Sequence, residues 1–147
     1  MKPVWLTVDS DDLRHLPKHQ GHPTRSIYPY SERVSVKMKQ AMKSFRQWLE
    51  MTRVPLTIFV IADQLSDDEF NKWLSDLIDE HPQVTIGCHG LNHRSWSAWA
   101  EDTEGFAAAL LEAIQKIHTF AGDSFRPWFR APAGYIAPWM APIISKV

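Results

Sequence analysis

A single cysteine, Cys88, stands among 147 residues, so no internal disulfide can form and a cysteine-stapled secreted scaffold is excluded. An excess of charge of either sign is lacking too. Sixteen basic residues face seventeen acidic ones for a formal charge of -1, and no run of lysine or arginine exceeds two. That balance offers no electrostatic footprint for nucleic acid or anionic lipid. The N-terminal apolar stretch from Val4 meets Asp9 too soon to be a signal peptide or a membrane span, which leaves a cytoplasmic location without a membrane partner as the expectation. Internal repeats, low-complexity tracts and linkers are also missing.

What is present fits one packed domain: 44% hydrophobic residues, 22% charged and seven Trp. The apolar pattern alternates in period along the chain. Val4 to Val8 reads as a buried strand that stops at Asp9-Ser10-Asp11-Asp12, and His15 to Tyr30, with its three prolines, reads as a long loop. Met38, Ala41, Met42, Phe45, Trp48 and Leu49 form a helical stripe, predicting a helix over Val36 to Glu50. Leu56 to Ile61 follows as a second buried strand. Ser66 and Glu69 make a capping box for a helix bearing Phe70, Trp73, Leu74, Leu77 and Ile78. Val84 to Ile86 is a third strand, Asp102 to Phe120 a helix closing at Gly122, and Phe125 to Arg130 a fourth strand despite Pro127; the tail from Pro138 begins a helix. Strands separated by helices imply parallel crossovers, and such proteins place ligands outside the carboxyl ends of their strands.

Three polar clusters sit at those ends. In an extended strand residues i and i+2 face the same way, so Asp9 and Asp11 aim into one cavity, and without a cation one of two such carboxylates would take up a proton. By itself Asp9-Ser10-Asp11-Asp12 reads as a solvated turn or cap. His89-Gly90-Leu91-Asn92-His93 places two imidazoles four residues apart, and two His with one carboxylate leave the open position of a catalytic zinc site. The pair is weak evidence alone; following a buried strand strengthens it. His15 and His19 share the spacing, with His22 nearby, but Pro17 opposes a helical turn, and the three read as solvated loop histidines. Cys88 reads as buried packing. Arg130 can offer a forked donor to a carboxylate across the cavity mouth, holding Asp9 ionised, and the turn Ala131-Pro132-Ala133-Gly134 can present a backbone amide, such as that of Ala133, to an oxyanion. Alone, that segment is an ordinary strand-to-helix turn.

Taken in order, Thr7-Val8-Asp9-Ser10-Asp11, His89-Gly90-Leu91-Asn92-His93 and Phe129-Arg130-Ala131-Pro132-Ala133-Gly134 resemble the motifs of the polysaccharide deacetylase family, carbohydrate esterase family 4, over nearly the whole chain. The resemblance implies an α/β fold, a distorted (β/α) barrel that is incomplete at its C-terminus here, making up a single catalytic domain. It implies removal of N-acyl groups, usually acetyl, from amino sugars with a divalent metal, zinc first. It carries the catalytic base to Asp9, the metal ligands to Asp11, His89 and His93, and the bracing arginine to Arg130. The commoner family pattern has adjacent aspartates, so a second register, Asp11 as base with Asp12 as ligand, stays open.

The implied chemistry is attack of metal-bound water on the amide carbonyl, with Asp9 taking the proton and the oxyanion facing the metal and an amide near Ala133. The family also protonates its leaving group with a histidine of a Leu-x-His segment well downstream of the arginine motif. The last histidine here is His118, and seventeen residues follow Arg130. At roughly 30 residues per βα unit the chain holds four or five units, against about 250 residues for a closed barrel. The expectation is a fragmentary or reduced domain whose open sheet edge invites pairing into a homo-oligomer. Two further readings stand beside the deacetylase: a non-catalytic carbohydrate-binding domain, suggested by Trp96 and Trp99, and a hydrolase of linear amides.

Overall fold

The computed structural model describes residues 4–15 and 33–147. Its centre is a parallel four-stranded sheet in the order β1-β2-β3-β4, formed by β1 (Thr7–Asp9), β2 (Leu56–Val60), β3 (Val84–Cys88) and β4 (Phe125–Phe129). The connections carry α1 (Val36–Thr52), α2 (Asp68–Glu80) and α3 (Thr103–Ala121), and a short α4 (Ala141–Ile144) follows the last strand. Strand order equal to chain order is what successive right-handed βα units produce. The α/β class expected from the alternating periods is the one found.

Alternation along the strands divides the sheet into two faces. Leu56, Ile58, Val60, Val84, Ile86 and Cys88 turn to the helices, where they join Met42 and Leu49 of α1, Phe70, Leu74 and Leu77 of α2, and Phe106, Leu110, Ala113 and Ile117 of α3 in one buried cluster. The register Thr7↔Thr57↔Thr85 and Asp9↔Phe59↔Gly87 puts these residues together on the opposite face.

That second face lines a trough. In a flat sheet β1 and β4 would lie about 14 Å apart, three strand spacings of about 4.8 Å. Instead Arg130 reaches from the end of β4 to Asp9 and Thr7 on β1, and the rings of Trp5 and Trp128 meet edge-on with centroids 4.9 Å apart. The sheet is therefore strongly curled, an arc of a barrel with β1 and β4 at its two edges. Gly87 permits the curl: a Cβ there would stand 2.7 Å from the Phe59 ring and 3.2 Å from the Trp128 carbonyl.

Three local expectations need correction. The first strand covers Thr7–Asp9 and not Val4 to Val8: β1 is an edge strand, and its approach is largely exposed among the described residues, with Val4 89% and Trp5 59% exposed. The start of α2 is capped by Asp67, whose Oδ1 accepts from the Glu69 and Phe70 amides, and not by a Ser66–Glu69 box. Residues Ala62–Ser66 form a 3-10 turn, in which the Ser66 hydroxyl is spent on the Asp63 carbonyl. The third concerns His15, which is 1% exposed and not a solvated loop histidine. Of the loop expected from His15 to Tyr30, residues 16–30, with His19 and His22, lie outside the described residues. By contrast, α1 begins at Val36 behind the Ser35 cap, and α3 runs between Asp102 and Gly122 as its pattern requires. Pro127 is tolerated because β4 is an edge strand, irregular in its register with β3.

Candidate metal centre

All of the strand-end clusters meet at one mouth of the trough. Asp11 comes from the loop after β1, and His89 and His93 from the loop after β3. One ligand atom from each lies within 4.8 Å of the other two. Asp11 Oδ1 stands 2.9 Å from His93 Nε2 and 3.4 Å from His89 Nε2, and the two imidazoles are 1% and 4% exposed for His89 and His93.

The backbone is shaped to allow this. His89 ends the ladder, with its amide on the Val60 carbonyl. Gly90 takes a φ of +87°, which lets the chain turn at once, and Pro132 packs where a side chain at Gly90 would project. His93 itself sits at φ +58°, a conformation that costs a non-glycine residue energy and persists at sites where the surroundings impose it.

His89 Nδ1 lies 2.9 Å from the Arg130 carbonyl and can only donate there, which leaves Nε2 with a lone pair aimed toward Asp11. The Nε2 atoms of His89 and His93 are buried without a hydrogen-bond partner of acceptable geometry. Lone pairs gathered around a carboxylate repel unless a cation or protons lie among them. The donor set, two imidazole nitrogens and a carboxylate oxygen, suits a divalent ion of the zinc type with a position left for solvent. Burial raises the Asp11 carboxyl, but the close approach of the His89 and His93 imidazoles outweighs it and holds the group well below the usual carboxylate range.

Asp9 lies beside this group and outside it. Its Oδ1 accepts from Arg130 Nη1 at 2.7 Å, while Arg130 Nη2 donates to Thr7 Oγ1 and the guanidinium lies over the Phe59 ring, 4.1 Å from its centroid. Ala133 is exposed on the turn Pro132–Gly134 that follows, at φ +54°. Asp12 is directed elsewhere. Its carboxylate accepts from the amide and hydroxyl of Ser35 and from the Leu13 amide, anchoring the start of α1. The register with Asp12 as ligand therefore has its carboxylate already committed.

A layer of side chains behind the centre has no counterpart in the sequence expectations. His15 Nδ1 accepts from the Asp12 amide, and its Nε2 lies 3.2 Å from Asp63 Oδ1, which also receives Arg14; the His15 ring stands 5.9 Å from that of His93. Burial pushes the His15 imidazole below its ordinary value, against the opposing pull of Asp63. Gln64, 0% exposed, exchanges two hydrogen bonds with Ser10, which lies between Asp9 and Asp11. The available signal was position: Ala62-Asp63-Gln64 also follows a strand end, that of β2.

The chain matches the polysaccharide deacetylase family over residues 2–146. Among curated proteins none matches it. Two solved structures resemble it in fold. One is the wild-type form of a carbohydrate esterase family 4 pseudoenzyme from Bacillus anthracis, with a TM-score of 0.65 and 14% identity over 99% of this chain. The other is a mutant of that pseudoenzyme with restored enzymatic activity, with a TM-score of 0.63 and 15% identity over 97% of this chain. This chain spans 40% of the length of each. With a match from one end of the chain to the other and a shared fold, the chain belongs to the polysaccharide deacetylase family, carbohydrate esterase family 4.

Proposed function

We propose that this protein is a metal-dependent hydrolase that removes N-acyl groups, acetyl first, from amino sugars, with a divalent cation, zinc by preference, held by Asp11, His89 and His93. The observation that carries the reading is the pair of buried imidazole Nε2 atoms without hydrogen-bond partners, facing a single carboxylate oxygen. A bound divalent cation would supply Lewis-acid chemistry, acidifying water and polarising a carbonyl oxygen.

The chain's own groups do the rest. Asp9 is the base: Arg130 engages its Oδ1, so Oδ2 is the oxygen available to take a proton from the attacking water. Thr7 and the Phe59 ring hold the guanidinium in place, and with it the carboxylate. The backbone amide of Ala133 is the proposed donor to the oxyanion that forms when the amide carbonyl is attacked. The His89–Arg130 carbonyl bond fixes the tautomer that leaves Nε2 free for the metal.

Metal analysis and an acetate-release assay on N-acetylglucosamine oligomers test the reading. One divalent ion per chain, lost in His89→Ala, and acetate release that depends on it are expected. Retention of stoichiometric zinc by His89→Ala would overturn the ligand assignment.

A second reading, a carbohydrate-binding member of the family without turnover, has one observation in its favour. The leaving amine needs a proton, and His15, the other described histidine beside the centre, has both ring nitrogens engaged by Asp12 and Asp63. The wild-type structure similar in fold is that of a pseudoenzyme, in keeping with such a reading, whereas its mutant has restored activity. It predicts sugar binding with no acetate released.

A further inference from the structure

The two loops that bring Asp11 and the histidines together come from β1 and β3, which are separated in the sheet by β2. Something between them has to set their distance. The segment Ile61 to Gln64, directly after β2, touches both. Toward the first loop, the Ile61 amide donates to Ser10 Oγ at 3.0 Å, Ser10 Oγ donates to Gln64 Oε1 at 2.5 Å, and Gln64 Nε2 donates to the Ser10 carbonyl at 2.6 Å. Toward the second, the Ala62 and Asp63 amides donate to the carbonyls of Gly90 and Leu91, at 3.0 and 2.9 Å. Four consecutive residues therefore hold the backbone on both sides of the centre.

Within that segment Gln64 makes the contact that only a side chain can make. It is buried, as is Ser10 at 4% exposure, and the pair closes a ring of two hydrogen bonds. A carboxamide is the group for this position because it both accepts from a hydroxyl and donates to a carbonyl. Glutamate of the same shape could accept but not donate, and methionine of similar volume could do neither. Ser10 has Asp9 on one side and Asp11 on the other, pointing to the opposite face of the strand end, so holding Ser10 at two points fixes the direction of both carboxylates. The side chains of Ser10 and Gln64 bond to each other, to the Ser10 carbonyl and to the Ile61 amide.

We infer that Gln64, acting through Ser10, is a positioning residue that fixes Asp9 and Asp11 against His89 and His93. The inference rests on the proposed metal centre and deepens it, since outer-shell partners of metal ligands typically contribute about 10- to 100-fold to metal affinity.

Titration of the metal-free full chain with Co2+, followed by visible absorption, tests this apart from activity. Gln64→Met and Ser10→Ala are each expected to weaken Co2+ binding roughly 10-fold or more and to alter the absorption bands at saturation. The double variant is expected to lose less than the sum of the two single losses, because both singles remove the Ser10 Oγ–Gln64 Oε1 bond. Gln64→Glu, which keeps the shape, serves if the methionine variant does not fold. Leu65→Ala, in the same turn but outside the ring, is expected to lower the melting temperature of the metal-free chain and leave Co2+ affinity and spectrum as in the wild type. Wild-type affinity and spectrum in the Gln64 and Ser10 variants would overturn the inference while leaving the metal centre intact. Equal weakening by Leu65→Ala would reduce the effect to general destabilisation and also overturn it. A wild-type chain that binds no Co2+ would overturn the proposed centre and this inference together.

Discussion

Arg130 at the end of β4 donates to Asp9 at the end of β1 over 2.7 Å, although β2 and β3 lie between their strands. The bond measures the curl of the sheet, and it also separates the proposed base from the proposed metal ligands. Both side chains are one-third exposed, so the pair contributes at most about 1 kcal/mol to stability. Asp9→Asn should lower kcat by about 10²- to 10⁴-fold, the usual span for a general base, with metal stoichiometry unchanged. Arg130→Met should fall in the same direction with a smaller loss. Loss of bound metal in Asp9→Asn would place Asp9 among the ligands instead.

Gly87→Ala should destabilise the protein by roughly 1–3 kcal/mol in urea denaturation, the cost of overpacking a tight contact. The added methyl would meet the Phe59 ring at 2.7 Å and the Trp128 carbonyl at 3.2 Å, on both sides of the trough floor. Combining it with Phe59→Leu should recover part of the loss. No effect in the single variant would mean that the curl does not depend on this close approach.

Asp67 ties two helices together: it caps α2 through Glu69 and Phe70, and its other oxygen accepts from the Val34 amide just before α1. Burial raises its carboxyl, but those amide bonds and the charge of Arg14 outweigh it and hold the group below its usual value. A depressed native pKa gives stability that is complete above the unfolded value and is lost as pH falls through the native one. Asp67→Ala should cost about 1–2 kcal/mol at pH 7. The stability gap between wild type and Asp67→Asn should narrow below about pH 4, where the unfolded carboxylate is protonated. A gap that stays constant in acid would show that the charge of Asp67 is not involved.

The Cys88 thiol is 1% exposed, and burial pushes it up to about 12. The native protein should resist a thiol-specific reagent at pH 8 and react with one equivalent in denaturant. Because the thiol of the unfolded chain ionises near 8.5 and the native one does not, stability should also decline above about pH 9. Rapid native labelling would contradict the packing of β3 against its helices.

Much of this molecule was legible in short stretches of sequence. The stripe from Met38 to Leu49 and the run from Leu56 report their own secondary structure, because periodicity is a property of neighbouring residues. The strand-end rule directed attention to Asp11, His89 and His93, which the fold brings to one mouth. The same local reading failed at Val4 and Trp5, since an apolar run does not reveal whether its strand is central or at an edge. It failed at Ser66 because Asp67 competes for the same cap one residue later.

By itself the sequence determined the α/β class, the order of its elements and the residue types gathered at the strand ends, all of which follow from spacing along the chain. Only the tertiary structure decided that Asp11 faces the imidazoles while Asp12 holds the start of α1, that His15 is buried, and that Gln64 joins the loop at Ser10. Each of these depends on the curl of the sheet and on which loops it stacks together. A hydrogen bond between residues 54 positions apart leaves no periodic trace, because its geometry exists only once the strands between them have paired.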